Sequence, residues 1–422
     1  MSKKNKLIPE FRFPEFKNEG EWNIDKVDNL FDLQDGFSFS SFDLTNEHKE
    51  SIQVIRITDI NNQNKNDEKV YVSNHKIQEL NISKCEVRKG DLLLSMTGAA
   101  GFNFFIWNAD NGYINQRTMK IYPRKKVNES LKIIIDPLIH SKINSIGTGQ
   151  NNNLSKDALK EIEFPFPIPK EQQKIASCLS SLDEVIAAHS QKLELLKNHK
   201  KGLMQNLFPQ EGEKVPRYRF KEFEKYGKWR KTTIDEIAKV SAGGTPESTN
   251  PEYWNGNIPW MNSGELNNKR IYSVSNYITS KGLKESSTKL IPPNCVLIGL
   301  AGQGKTRGTA AINYIKLCTN QSIGSIHPNE DVFDSEFLYQ KVDSMYEKLR
   351  YLSAGDGGRG GLNLQIIKKI ELLLPNPKEQ QKIASCLSSL DEIISTQVEK
   401  IKELKQHKKG LMQGLFPKTN DI

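Results

Sequence analysis

PKEQQKIASCLSSLDE stands at residues 169–184 and again, letter for letter, at 377–392, an offset of 208. The likeness continues downstream: HKKGLMQNLFP at 199–209 returns as HKKGLMQGLFP at 407–417, differing only at Asn206 against Gly414. The segments that open each half also correspond, FRFPEFKNEGEW at 11–22 with YRFKEFEKYGKW at 218–229. Between these ends the halves diverge. The echoes that remain are GDLLLSMTG at 90–98 against NCVLIGLAG at 294–302, and Asn115-Gln116 against Asn320-Gln321. The 422 residues therefore read variable, constant, variable, constant. Two long units exclude a solenoid, whose repeats run to about 20–50 residues.

The constant segments carry a heptad seam. In the first copy it is Ile175, Leu179, Leu182, Ile186, His189, Leu193, Leu196, Lys200, Leu203 and Leu207. In the second it is Ile383, Leu387, Leu390, Ile394, Gln397, Ile401, Leu404, Lys408, Leu411 and Leu415, in identical register. Alternating steps of four and three put these residues on one helical stripe. Pro169 and Pro377 suit a first helical turn, where a missing N–H costs nothing, and Pro209 and Pro417 stop the helix. One exposed stripe is sticky, and two in one chain cover each other. The expectation is an antiparallel coiled coil with a pseudo-twofold axis between the variable domains. Lys200 and Lys408, with His189 and Gln397, interrupt the seam, either as tolerated polar groups with buried stems or as selectors of register. Gly202 and Gly410 weaken the helix and suggest a fray or kink. Cys178 and Cys386 read as small packing residues.

The variable segments read as mixed sheet and loop. Strand-like alternation marks 52–60, 69–73, the segment around GDLLLSMTG, 256–266, 294–302 and 309–315, with short helices near 155–160 and 335–348. The expected fold is a duplicated α/β (α+β) chain. Two mixed-sheet domains, residues 1–165 and 211–373, are each followed by a helical region, 166–210 and 374–422. Two polar, glycine-rich loops, GTGQNNNLS at 147–155 and SAGDGGRGGLNL at 353–364, precede the helices at equivalent places. Amides, guanidinium groups and exposed backbone are the chemistry that reads base edges and phosphates.

Composition narrows the function classes. Lys and Arg number 60 against 51 Asp and Glu, a formal charge of +9, which suits a polyanionic partner. Five scattered cysteines with no CxxC argue for a reducing compartment, and no His/Cys cluster reads as a zinc site. No stretch has the length of a signal peptide core or a membrane span, so a cytoplasmic location is expected. Gly299–Thr306 fits the letters of a phosphate-binding loop, but RGTAAINYIKL after it reads as a strand rather than the helix such a loop needs. That stretch reads instead as a DNA-contacting loop presenting Lys305 and Arg307, or as a structural turn. Adenine-methyltransferase signatures and nucleophile triads are absent, so no catalytic role is expected and no metal or cofactor is assigned to this chain.

With both constant motifs and both openings in order, and with GGTPESTNPEYWNGNIPW at 243–260, the whole chain resembles the specificity subunit of type I restriction–modification enzymes. The resemblance implies two target recognition domains, each reading one half of a split, asymmetric double-stranded DNA site. It implies helices that set the spacer and dock two adenine methyltransferase subunits, which carry S-adenosylmethionine. Two separate restriction subunits would use ATP and magnesium. The residues best suited to reach bases or phosphates are Arg56, Thr58, Asn115, Gln116, Arg117, Gln150 and Asn151 in the first domain. In the second they are Asn262, Ser263, Gln303, Lys305, Arg307, Asn320, Gln321 and Arg359. The rival readings are a nucleotide hydrolase using Gly299–Thr306 and a coiled-coil scaffold for proteins only.

Overall fold

The seam residues form two continuous helices, Pro169–Leu207 and Pro377–Leu415, each 39 residues long. The structure, a computed structural model, describes residues 7–47, 49–61, 69–97, 102–124, 128, 130–146, 153–302, 306–353 and 361–417. Every seam position is buried or half-buried, while the positions between are mostly exposed. Neither Gly202 nor Gly410 breaks its helix; each faces open space, so the expected fray is not seen. Cys178 and Cys386 are half-buried.

The chain forms two compact units. One runs up to His189 and takes in the residues from Lys400 on; the other is Ser190–Glu399. In the first unit Ile175, Ala176 and Leu179, from the start of the first long helix, share a core with Leu415 and Phe416, from the end of the second. Lys408 Nζ meets Asp183 at 2.5 Å. The two helical segments therefore run antiparallel. In the second unit the roles exchange. Ile383, Ala384 and Leu387 share a core with Leu207 and Phe208, and Lys200 Nζ meets Asp391 at 2.5 Å. The lysines that interrupt the seam thus each meet the aspartate of the repeated LSSLDE, a pairing only one register allows.

The opening motifs fasten onto the helix starts. Arg12 Nε and Nη2 donate to the two oxygens of Glu171 at 2.8 Å, and Nη1 donates to the carbonyls of Glu19 and Gly20. Arg219 does the same to Glu379 at 2.8 Å and to the carbonyls of Tyr226 and Gly227. Glu171 and Glu379 are each 1% exposed. Gln172 Nε2 donates to Pro167 O at 2.7 Å and Gln380 Nε2 to Pro375 O at 3.0 Å. A buried charge needs a matched partner and a buried amide a hydrogen bond, which accounts for the identical Glu-Gln pair in both copies. Asn23–Lys26 pairs with Glu163–Phe166, and Arg230–Thr233 with Glu371–Leu374, so each variable domain leaves and re-enters beside its helix.

Beside that strand pair, the described residues of each variable domain form two larger sheets of matching topology. In the first unit one sheet has the order Phe31–Asp35, Thr118–Pro123, Leu92–Ser95, Phe104–Ile106, and the other Val70–Ser73, Ser51–Ile55, Gly112–Ile114, Glu86–Val87. In the second unit Val240–Ala242, Ile323–Ile326, Val296–Gly299 and Ala310–Asn313 form the first sheet, extended by Arg270–Ile271. Asn276–Ile278, Trp254–Met261, Leu317–Thr319 and Leu290–Ile291 form the second. The faint echo of GDLLLSMTG and NCVLIGLAG is a true structural equivalence. Gly90 and Asn294 both take positive φ (94° and 64°), and both donate their N–H across the hairpin, to Trp107 O and Asn313 O. The strand expected over 52–60 stops at Ile55. Asp59 accepts the Arg56 N–H at 2.8 Å and turns the chain into a helix over Ile57–Asn61. The apolar run at 133–139 lies in a helix, Leu131–Ile146, that tolerates Pro137. Its face of Leu131, Ile134, Ile135, Leu138, Ile139 and Ile143 is wholly buried.

Candidate nucleic-acid interface

In each unit a parallel strand pair ends in a cluster of polar loops. In the first, Gln53–Ile55 runs parallel to Gly112–Ile114, so Arg56-Ile57-Thr58 and Asn115-Gln116-Arg117 emerge side by side. Asn115 N donates to Ile55 O at 3.1 Å. A third loop enters between them: Phe37 N donates to Ile114 O, and Gln116 N to Phe37 O. Ser38 Oγ donates to Gln116 Oε1 at 2.5 Å. A fourth comes from the echoed strand, whose Met96 N donates to Arg117 O at 2.9 Å.

The second unit repeats most of these contacts. Trp260-Met261 is parallel to Cys318-Thr319, and Asn320 N donates to Met261 O at 3.0 Å. Gly244 N donates to Thr319 O, Leu300 N to Ser322 O, and Thr245 Oγ1 to Gln321 Oε1 at 2.5 Å. Asn115 and Asn320 each turn a side-chain oxygen back to the N–H two residues on, at 3.3 and 3.2 Å. Asn262, the counterpart of Arg56, engages Glu265 as Arg56 engages Asp59.

Two glycines make the close approach possible. A Cβ on Gly36 would sit 2.1 Å from Asn115 O, and one on Gly243 would sit 2.1 Å from Thr319 O. Only glycine fits where two backbones touch. The hydroxyls two residues later, Ser38 and Thr245, hold the glutamine amides. Sequence reasoning passed over both. The shared signal was a Gly-x-Ser/Thr at 36–38 and 243–245 in halves that otherwise differ.

Thr58, Gln116, Arg117 and Gln321 are exposed, and Arg56, Asn115, Asn262, Ser263, Arg307 and Asn320 are half-buried. Arg56 lies 3.3 Å from Asp59 Oδ2. Of these, Arg56, Thr58, Asn115, Gln116 and Arg117 converge in the first unit, and Asn262, Ser263, Asn320 and Gln321 in the second. Arg307 lies on the turn before Ala310–Asn313. Gln150, Asn151, Gln303, Lys305 and Arg359 lie outside the described residues. Amides beside hydroxyls and guanidinium groups offer donors and acceptors complementary to the adenine N6/N7 edge and the guanine O6/N7 acceptors of the major groove.

The phosphate-loop reading finds no helix to support it. Among the described residues the next element after Gly299 is the strand Ala310–Asn313, not the helix that directly follows a phosphate-binding loop. Thiol chemistry is equally unsupported where thiols are buried. Desolvation pushes Cys295 up to about 12 and Cys318 up to about 11, which keeps both protonated. Among the described residues no helix is long and apolar enough to cross a membrane.

Comparisons with known proteins agree with this duplicated design. The family model for the type I restriction modification DNA specificity domain matches twice, over residues 19–198 and 226–406. A type I restriction enzyme specificity subunit of Methanocaldococcus jannaschii is 35% identical over 171 residues, covering 39% of this chain and 38% of that protein. One from Escherichia coli is 28% identical over 200 residues, covering 45% and 49%. These matches span half or less of either relative's length. The S subunit of the type I restriction–modification system of M. genitalium has the same fold. It aligns at a TM-score of 0.62 with 15% identity, over 98% of this chain and 100% of that one. With the family model matched over both halves, the chain belongs to the type I restriction–modification DNA specificity family.

Proposed function

We propose that this chain is the non-catalytic DNA-reading subunit of a type I complex, and that each variable domain reads one half of a bipartite, asymmetric site. The observation that carries this reading is the pair of matching clusters. Two domains of different sequence hold Ser38–Gln116 and Thr245–Gln321 in the same geometry, each domain bolted to the start of a long helix. Identical architecture with different letters is what two readers of two half-sites require. The +9 charge supplies phosphate attraction, and the clusters supply base contacts. The helices act as the ruler that sets the spacer and as the docking surface for two methyltransferase subunits. S-adenosylmethionine resides in those partners, and ATP and magnesium in two restriction subunits. The complex works on cytoplasmic double-stranded DNA.

Mapping methylated adenines across the genome, with and without this gene, tests the reading. A two-part motif disappears on deletion, and replacing residues 1–165 with those of another family member changes one half only. A motif that survives deletion refutes it. Loss of all salt-dependent DNA binding with partners present would favour the protein-only scaffold. Inserting one heptad into one helix changes the accepted spacer and leaves the half-site letters alone; unchanged methylation at the parental sites sinks the ruler.

A further inference from the structure

Resting on that bipartite reading, we infer that Arg270 is a positioning residue that fixes the second reading loop to the second long helix, and so sets the phase at which its half-site is met. Arg270 begins the strand Arg270–Ile271, which runs parallel to Ala310–Asn313 and adds a fifth strand to its sheet. Its side chain is 17% exposed. One terminal nitrogen donates to Glu336 and to the Tyr314 hydroxyl. The other donates to Asp391 Oδ2 at 3.0 Å and to Ser388 Oγ at 3.2 Å, both on the long helix. The guanidinium also lies 5.3 Å from the centroid of the Tyr339 ring.

Asp391 is held from two further sides, by Gln340 Nε2 at 2.7 Å and Lys200 Nζ at 2.5 Å. Two cations and two anions thus close a neutral cluster joining the recognition domain to both helices of its unit. Packing alone is nondirectional, whereas a planar guanidinium shared among fixed acceptors admits one orientation.

The link from clamp to reader is short and stiff. Asn262-Ser263 joins Arg270 through the 3₁₀ turn Ser263–Asn268, pinned by the fully buried Leu266. Glu265 accepts from Asn262 and from Ser275 N. Lys269, at φ 64°, is locked by its backbone oxygen to Ile312 N at 2.8 Å and by its Nζ to Asp343 at 2.7 Å. Freeing Arg270 therefore frees the reader as a body without altering the atoms it shows to DNA.

The test uses the chain purified with its methyltransferase partners. Binding is measured to duplexes carrying the parental spacer and spacers one base pair shorter or longer, for the wild type, Arg270→Lys and Arg270→Met. The expected result is that Arg270→Met lowers the preference for the parental spacer at least tenfold, with Arg270→Lys between. Discrimination among letters within each half-site stays within twofold of wild type. Unchanged spacer preference in Arg270→Met overturns the inference. So does loss of second-half letters with spacer preference intact, which would make Arg270 a reader. A wild type with no spacer preference at all brings down the bipartite reading instead. Should Arg270→Met fail to fold, Asp391→Asn carries the tenfold expectation and Arg270→Lys the intermediate one, and unchanged spacer preference in both overturns the inference.

Discussion

Removing Arg12 should cost more than removing Arg219, although both arginines make the same pair. Arg12 and Glu171 are 6% and 1% exposed, and Arg219 and Glu379 are 10% and 1%. Deleting one partner of a buried pair strands the other charge, at about 3–5 kcal/mol. What differs is the help each glutamate keeps. Glu379 also faces Trp229 Nε1 and Asn376 Nδ2, both at 3.3 Å. At Glu171 the equivalent of Asn376 is Ile168, which has no side-chain donor, and Trp22 Nε1 has no hydrogen-bond partner among the described residues. Each spare donor is worth about 1 kcal/mol. Arg219→Met should therefore lose about 3 kcal/mol and Arg12→Met about 4–5 kcal/mol. Native-state hydrogen exchange read by mass spectrometry measures this unit by unit. The reporting amides are those of Asn23–Lys26 with Glu163–Phe166, and of Arg230–Thr233 with Glu371–Leu374. Losses below about 1 kcal/mol in both variants, or a larger loss in Arg219→Met, refute the reasoning.

Three further outcomes are expected. Gly202→Ala and Gly410→Ala should each raise stability by about 1 kcal/mol, since a methyl there meets open space; Gly414→Ala should gain less, because its Cβ would sit 2.1 Å from the Phe11 ring, and thermal melts decide the order. Lys341, set over the Phe208 ring, is pushed down to about 8 by burial and then by Lys348. The folded state thus binds the proton less tightly than the unfolded chain, so a charged Lys341 costs stability in full below pH 8, and the cost fades as pH rises to 10.5. Lys341→Met should then stabilise the second unit by up to about 3 kcal/mol at neutral pH, with the gain vanishing towards the alkaline end in paired urea titrations; a gain that does not vary with pH refutes it. Gln116→Ala should relax discrimination in one half-site and Gln321→Ala in the other, each by about 1–3 kcal/mol at one position in competition binding, and relaxation of both halves by either change speaks against separate readers.

The repeat made the helices and the duplication legible, because a heptad stripe and sixteen identical letters survive any divergence elsewhere. Glu171 and Glu379 stand in a polar run, and nothing local marks them as buried; their partners lie 159 and 160 positions away. The helix Leu131–Ile146 was hidden by Pro137, which reads as a breaker unless the buried face beneath it is known. The clusters were half legible: Asn-Gln at 115–116 and 320–321 stood out, while Ser38 and Thr245 did not. Their role comes from backbones meeting across three loops, a relation that no local pattern encodes. The same holds for Arg270, whose four partners lie between 44 and 121 residues away.

The exchange of helix ends has a consequence for the order of synthesis. Phe11 N donates to Gly414 O, and Leu415 and Phe416 complete the core that holds Trp22, Ile175 and Leu179. The unit begun first is therefore completed after the second, since its closing piece follows Glu399 in the chain. The unit of Ser190–Glu399 has all its parts sooner and can mature while translation continues. A chain released before Lys400 would carry one finished reader and one with an open apolar seam, a ready signal for chaperones or proteases to tell partial products from full ones.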